Sequence, residues 1–348
     1  MPLRTSRTRR SAAVFLSLAL VGWGAAACSS DPDSGAADNS VAASSASLAQ
    51  SASADGDAAA YPVTVATKFG DVTVEEAPRR VVALGWGDAE VALSLGVEPI
   101  AAADWLSFGG DGVGPWVEHG YTQSPEILGT TDVNYEAVAA LEPDLILDVR
   151  SSGDQERYDM LSAIAPVIGV SAGGDKYKTS RDEQLTMIGA ALGKPAEAQE
   201  QIEQLQERIS GIAADHPEWS GTTFAVLGRT ATTWGAYNDG TNRADRLIEL
   251  GFSLNPWVKS QSASAKNIPL SGETLSNADS EVVIAQAVST DISTVETDPA
   301  WMGLPAVREG RAIVMPKELS QAFSLATAES TNYALDERVP LLEDIVPV

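Results

Sequence analysis

Glu136-Ala-Val-Ala-Ala-Leu-Glu-Pro-Asp-Leu-Ile-Leu147 decides the fold, because its pattern returns later as Glu273-Thr-Leu-Ser-Asn-Ala-Asp-Ser-Glu-Val-Val-Ile284. Each stretch is an acid-led helical segment that feeds a short apolar run at the same register. In the first, Asn134 is placed to N-cap a helix over Tyr135 to Leu141, since a side-chain oxygen there can take one of the orphan backbone N–H groups. Glu142-Pro143 ends that helix before Leu145-Ile146-Leu147, because the residue ahead of a proline avoids the helical region. A second pair agrees: Glu90-Val-Ala-Leu-Ser-Leu-Gly96 is echoed by Asp245-Arg-Leu-Ile-Glu-Leu-Gly251. Two echoes in the same order predict two lobes, each with parallel strands under covering helices.

Around these cassettes, Arg80-Val-Val-Ala-Leu84 reads as a buried strand, Asp88 to Leu95 as a short helix stopped by Gly96, and Val97 to Ala103 as the next strand. Between the lobes, Ala198, Ile202, Leu205, Ile209 and Ile212 step by four and three, forming one stripe of a helix over Pro195 to His216. Pro195 suits the first helical position. A helix of about twenty residues spans roughly 30 Å, enough to bridge two small lobes. The expected fold is therefore α/β: two Rossmann-like lobes with parallel-rich sheets, 61–194 and 217–348, joined by one long interlobe helix at 195–216.

The N-terminus carries Arg4, Arg7, Arg9 and Arg10, then an apolar run that ends in Ala25-Ala26-Ala27-Cys28. Charge, apolar run and small residues in that order describe a bacterial export signal over 1–27. The run is short for a spanning helix, which needs about 20 apolar residues. Cys28, the only cysteine, stands where cleavage would occur, and a thiol there is placed for lipidation. Residues 28–60 are nearly all Ser, Ala, Asp and Gly, too polar to offset their ordering entropy, and read as a tether. The expected location is the outer face of the cytoplasmic membrane, with Cys28 carrying the lipid. Arg9-Arg10 leaves both the general and the twin-arginine export routes open.

The formal charge of the chain is −25. A surface this acidic excludes nucleic acid as a partner, which needs a basic footprint. Two histidines, His119 and His216, leave little for catalysis or for a bare-metal cage. There is no P-loop and no Gly-x-Gly-x-x-Gly after a strand. His216 falls at the end of the interlobe helix, where a cation favours the dipole.

The segments in order resemble the siderophore and vitamin B12 class of periplasmic binding proteins. The resemblance rests on Arg79-Arg-Val-Val-Ala-Leu84, Leu93-Ser-Leu-Gly-Val97, Leu141-Glu-Pro-Asp-Leu-Ile-Leu147, Tyr158-Asp-Met-Leu-Ser-Ala-Ile-Ala-Pro-Val167, and Trp301-Met-Gly-Leu-Pro-Ala-Val307 followed by Gly310-Arg311. It covers nearly all of the chain after the tether; Asp279-Ser280-Glu281 departs from the commoner Asp-Ala-Asp. It implies a monomeric binding protein, not an enzyme, that captures a ferric siderophore in an interlobe cleft and passes it to the permease of an ABC importer. No cofactor is implied; ferric iron arrives only inside the chelate. Cobalamin or haem as the ligand, and an exported two-lobed α/β enzyme, remain the alternatives.

A bulky chelate calls for flat aromatic walls and long donors beyond the carboxyl ends of strands. The residues so placed are Trp86, Trp105, Arg150, Arg229, Trp234, Tyr237 and Asn238, with Trp257 in a later loop. Any one of these rings could equally close the core of a lobe, and Trp301 is assigned to packing. The resemblance further implies one acidic permease-docking residue on a surface helix of each lobe. Glu90 and Asp245, at matching places in the echoed cassettes, take that role.

Overall fold

Val81-Val82-Ala83 and Leu145-Ile146-Leu147 are wholly buried, and they form the centre of the first sheet. Strands covered on both faces read as continuous apolar runs rather than alternating ones. The computed structural model describes residues 61–261 and 267–346; the export signal, Cys28 and the tether lie outside them. All of the described residues fall in one compact unit, Asp55–Val348.

The chain opens with a hairpin, β1 (Val63–Thr67) and β2 (Gly70–Val74). It continues through β3 (Val81–Ala83), α1 (Asp88–Ser94), β4 (Ala101–Ala103), β5 (Glu126–Leu128), α2 (Tyr135–Ala140), β6 (Leu145–Leu147), α3 (Gln155–Ser162), β7 (Val167–Ile168) and α4 (Arg181–Ala191). The first sheet has the order β5-β4-β3-β6-β7 with every pair parallel. Its strands are shorter than the sequence suggests. The expected strand from Val97 is reduced to Ala101–Ala103, because Pro99 has no N–H to donate to a ladder. Caps fall where the side chains provide them: Asn134 accepts from the Ala137 N–H at 3.1 Å, and Ser180 with Glu183 closes a capping box on α4.

Helix α5 (Pro195–Asp215) then runs for 21 residues, with Pro195 in its first turn and Ala198, Ile202, Leu205 and Ile209 buried. It packs on α4 and on the last helix of the chain. His216 caps its C-terminus, stacked on Trp219 with ring centroids 4.0 Å apart. Beyond it come β8 (Thr223–Arg229), β9 (Trp234–Tyr237), α6 (Asn242–Ile248), β10 (Ser253–Leu254), α7 (Pro256–Ser260), β11 (Asn267–Leu270), β12 (Val282–Ala287), α8 (Ser293–Glu296), α9 (Pro299–Met302), α10 (Pro305–Arg308), β13 (Ala312–Val314), α11 (Lys317–Leu325) and α12 (Ala328–Ile345). The second sheet has the order β11-β9-β8-β12-β13, with β10 also beside β8. Only the β8–β9 and β9–β11 pairs are antiparallel. The α/β architecture with parallel-rich sheets is the one the sequence predicts. Trp257 is a correction in detail: it stands inside α7, not in a loop, because Asn255 caps Trp257 and Val258 and Pro256 starts the helix.

One apolar cluster runs from Val81 and Leu145 in the first sheet to Phe224 and Val283 in the second. A smaller one, including Val82, Ile146, Val138 and Leu161, covers the other face of the first sheet. Each buried Val, Leu or Ile contributes about 1.5–3 kcal/mol, so a continuous core of this kind ties the two sheets together.

Candidate functional site

Trp86 follows β3 by three residues and lies between two other rings. Its plane is 3° from that of Trp105, with centroids 3.9 Å apart, and 16° from that of Tyr177, at 3.8 Å. The loops after β3, β4 and β7 thus build one three-ring stack at the carboxyl ends of parallel strands, the usual place for a ligand in an open α/β sheet. Trp86 and Tyr177 line a cavity of about 440 Å³, walled on the other side by Tyr237, Arg243 and Arg246 from β9 and α6. That size suits a small-molecule site.

Arg150 lies three residues past β6, only 1% exposed, and lines the cavity. Its Nε donates to the Thr179 carbonyl at 3.2 Å and its Nη1 to the Leu325 carbonyl. Among the described residues its Nη2 has no acceptor. Burial pushes this guanidinium down to about 10, which still leaves it charged at neutral pH. Behind it, Asp88 accepts from the Val149 N–H at 2.8 Å and from Gln184 Nε2 at 2.6 Å. Gly85 permits that arrangement, because a Cβ there would lie 2.2 Å from Asp88 Oδ2 and 2.9 Å from Arg150 N.

On the opposite wall the Arg243 guanidinium sits 4.6 Å from the centre of the Tyr237 ring. The Tyr237 hydroxyl accepts from Gln286 Nε2 at 3.1 Å, and Gln286 Oε1 accepts from Ser320. Lys176, Lys178, Arg181 and Arg246 complete a cationic lining, set against Asp182, Asp245 and Glu249. Glu249 bridges the walls, 3.7 Å from Arg181 and 3.1 Å from Arg246.

Five expectations from the sequence change here. Arg229 and Trp234 do not line the cavity. Arg229 Nε donates to Asp298 at 3.1 Å, as does Trp234 Nε1, and the Trp234 ring stacks on Trp301. The local carboxylate captures both donors and turns them into packing. Asn238 is fully buried; its Oδ1 accepts the Asp239 N–H and its carbonyl accepts from Thr241, which shapes the turn into α6. Glu90 is not on a surface: it is 2% exposed and accepts from the Gly114 N–H, Trp116 Nε1 and Thr327 Oγ1, each at 2.9 Å. Asp245 faces the cavity, accepting the Gly240 N–H at 2.9 Å.

A larger cavity of about 600 Å³ lies among α1, α5 and α12. Arg208, the cation in its wall, is already engaged by Asn332 and Asp336, and Glu118 and Glu329 make the remainder acidic. The smaller site brings together a stacked aromatic wall and six cations.

The chain matches the periplasmic binding protein family over residues 81–319. It belongs to that family. A periplasmic solute-binding protein of Mycobacterium smegmatis superimposes with a TM-score of 0.71 at 31% identity, over 82% of this chain and 99% of that one. A putative ABC transporter substrate-binding lipoprotein of Bacillus subtilis is 26% identical over 80% of this chain and 87% of its own length. PiaA of Streptococcus pneumoniae, in complex with ferrichrome, superimposes with a TM-score of 0.69 at 26% identity, over 82% and 98%.

As a member of a family of ABC-transporter binding proteins, the chain is no enzyme; the exposed His119 has no part in the cavity. No described helix is long and apolar enough to cross a membrane. Sequence reasoning missed Lys176, Tyr177, Lys178, Arg181, Arg243 and Arg246. The signal was present: in so acidic a chain, Lys176-Tyr177-Lys178 and the two arginines flanking Asp245 are local inversions of charge.

Proposed function

We propose that this chain is the extracytoplasmic binding component of an iron-uptake ABC importer, and that it holds a ferric siderophore in the cavity between its two sheets. One observation carries the reading: a chain with a formal charge of −25 gathers six cations around a stacked aromatic wall. A chelated ferric ion brings its own coordination sphere, so the protein needs only rings to lie against the ligand and N–H groups to meet its oxygens. No chemical step is required. The ferrichrome held by the streptococcal relative supports the same ligand class.

The docking acids are then better sought in the other echoed pair. Glu136 and Glu273 are both exposed, and each heads a short segment leading into a central strand of its lobe, β6 or β12. We assign permease docking to them in place of Glu90 and Asp245, and membrane attachment to a lipid on Cys28.

The test is tryptophan fluorescence of the purified protein, titrated with ferric siderophores, cobalamin and haem. Saturable one-to-one quenching by a ferric siderophore supports the reading. Quenching by cobalamin or haem alone reassigns the cargo, and no binding by folded protein refutes it. Glu136→Ala with Glu273→Ala should abolish uptake while leaving affinity unchanged, and Cys28→Ser should release the protein from the membrane.

A further inference from the structure

The cations of the cavity are not matched by its acids. Asp182 engages Arg181, and Glu249 engages Arg181 and Arg246. Among the described residues, Arg150, Lys176, Lys178 and Arg243 have no carboxylate within ion-pairing distance. The shortage extends to individual N–H groups. Nη2 of Arg150, Nη1 of Arg181, Nε of Arg243, and Nε and Nη1 of Arg246 are buried with no hydrogen-bond acceptor among the described residues. A buried donor left without an acceptor is unfavourable, most of all on a charged group. With Arg150, Lys176, Lys178 and Arg243 unmatched by any carboxylate of the described residues, the cavity carries an excess of positive charge that a ligand can offset.

These donors come from both walls: Arg150 and Arg181 on the side of the first sheet, Arg243 and Arg246 on α6. A ligand that satisfies them is gripped from both sides at once. Carbonyl oxygens of a neutral ligand would accept the hydrogen bonds but leave the excess positive charge uncompensated in a partly desolvated space. Carboxylate or catecholate oxygens do both, and guanidinium groups take such pairs of oxygens two at a time.

Resting on the siderophore reading above, we propose that the cargo is a polyanionic ferric chelate, with hydroxycarboxylate or catecholate oxygens facing the arginines, rather than a neutral trihydroxamate. The site therefore differs in charge preference from one that holds ferrichrome. The Trp105–Trp86–Tyr177 stack adds a flat face on which a catechol ring or a chelate backbone can lie.

The experiment is a calorimetric titration of the purified protein with four probes: a ferric tris-catecholate, ferric citrate, ferrichrome as the neutral trihydroxamate, and iron-free citrate. At least one anionic ferric chelate should bind about 100-fold or more tightly than ferrichrome, and which of the two does so identifies the oxygen type. Its affinity should fall by about tenfold or more in Arg243→Gln and in Lys178→Gln, and by less in Arg243→Lys, which keeps the charge but loses the paired donors. Rising salt should weaken the anionic complex alone, as screening shortens to about 3 Å at 1 M. Ferrichrome binding as tightly as either anion overturns the charge preference and leaves the siderophore reading standing. Iron-free citrate binding as tightly as its ferric complex overturns the proposal in favour of a free polyanion. Folded protein that binds none of the chelates overturns the siderophore reading itself.

Discussion

Glu90 and Thr327 meet at 2.9 Å across 237 residues of sequence, joining α1 beneath the first sheet to the N-cap of α12. Thr327 also caps α12 through the Ser330 N–H, so one hydroxyl serves both the helix and the cross-chain tie. Burial pushes the Glu90 carboxyl up, while bonds from Trp116, Gly114 and Thr327 pull it back down. Gly87, at φ +81, makes room for the approach: a Cβ there would lie 2.9 Å from Thr327 Cγ2. Thr327→Val keeps the shape but removes both bonds, and should destabilise the protein by about 1–3 kcal/mol. Glu90→Ala strands three buried donors and should lower the melting temperature further. Thermal unfolding by circular dichroism checks this; a Glu90→Ala protein that melts with the wild type would return Glu90 to the list of surface residues.

Arg229 and Trp234 share Asp298 and so belong to the core of the second lobe. Trp234→Ala should leave chelate affinity within about twofold of wild type while costing about 3–5 kcal/mol of stability, as for other buried tryptophans. Trp86→Ala should do the opposite. Trp86 is only partly buried and lies at the cavity wall, so its loss should weaken binding by about tenfold or more with a small change in melting temperature. Parallel titrations and melts of the two variants separate the roles. Strong loss of binding in Trp234→Ala with an unchanged melt would move the site to the β8–β9 turn.

Gly85 couples the fold to the site. An Ala Cβ there would push into Asp88 Oδ2 and the Arg150 N–H, moving the carboxylate that holds the Val149 N–H beneath Arg150. Gly85→Ala should therefore lose both stability and affinity. Gly120→Ala, where a Cβ meets nothing within 4 Å, should lose neither. Equal behaviour of the two variants in melts and titrations would show that the Gly85 contact relaxes freely.

The echoed cassettes revealed the fold because buried parallel strands cannot hide: Leu145-Ile146-Leu147 and Val282-Val283-Ile284 have to be apolar on both faces. Trp86 and Arg150 each follow a strand by three residues and Tyr237 ends β9, so their place beside the cavity could be read from the chain, whereas Trp105 stacks on Trp86 without lining the cavity. Arg229 and Trp234 occupy similar places in the sequence, yet Asp298, 64 and 69 residues away, captures them. No local pattern announces that pairing. Arg243 and Arg246 were passed over because they look like the solvated side of a short helix, and only the opposing wall, with Trp86 and Arg150, turns that side into a cavity. The misassignment of Glu90 has the same origin: its burial depends on Trp116 and Thr327, both distant in sequence.

Asp245 gives the site a pH dependence whose sign can be worked out. Burial first, then its neighbours Glu249 and Asp239, raise its carboxyl from the ordinary 3.8 to about 6, against the single hydrogen bond from Gly240. Between those two values the folded protein binds more protons than the unfolded chain, so this group's contribution to stability falls as pH rises across the window and stays low above pH 6. The same charge repels an anionic ligand once it forms. Asp245→Asn should bind a polyanionic ferric chelate about 3–10-fold more tightly than wild type at pH 7.5, the scale of one partly screened charge at close range. The advantage should shrink towards unity by pH 5, where wild-type Asp245 is itself neutral. Comparing the two proteins at each pH cancels the titration of the chelate. Melting temperatures should follow the same course, higher for the variant at pH 7.5 and level with wild type near pH 4. An affinity ratio that does not change with pH would show that Asp245 does not face the ligand.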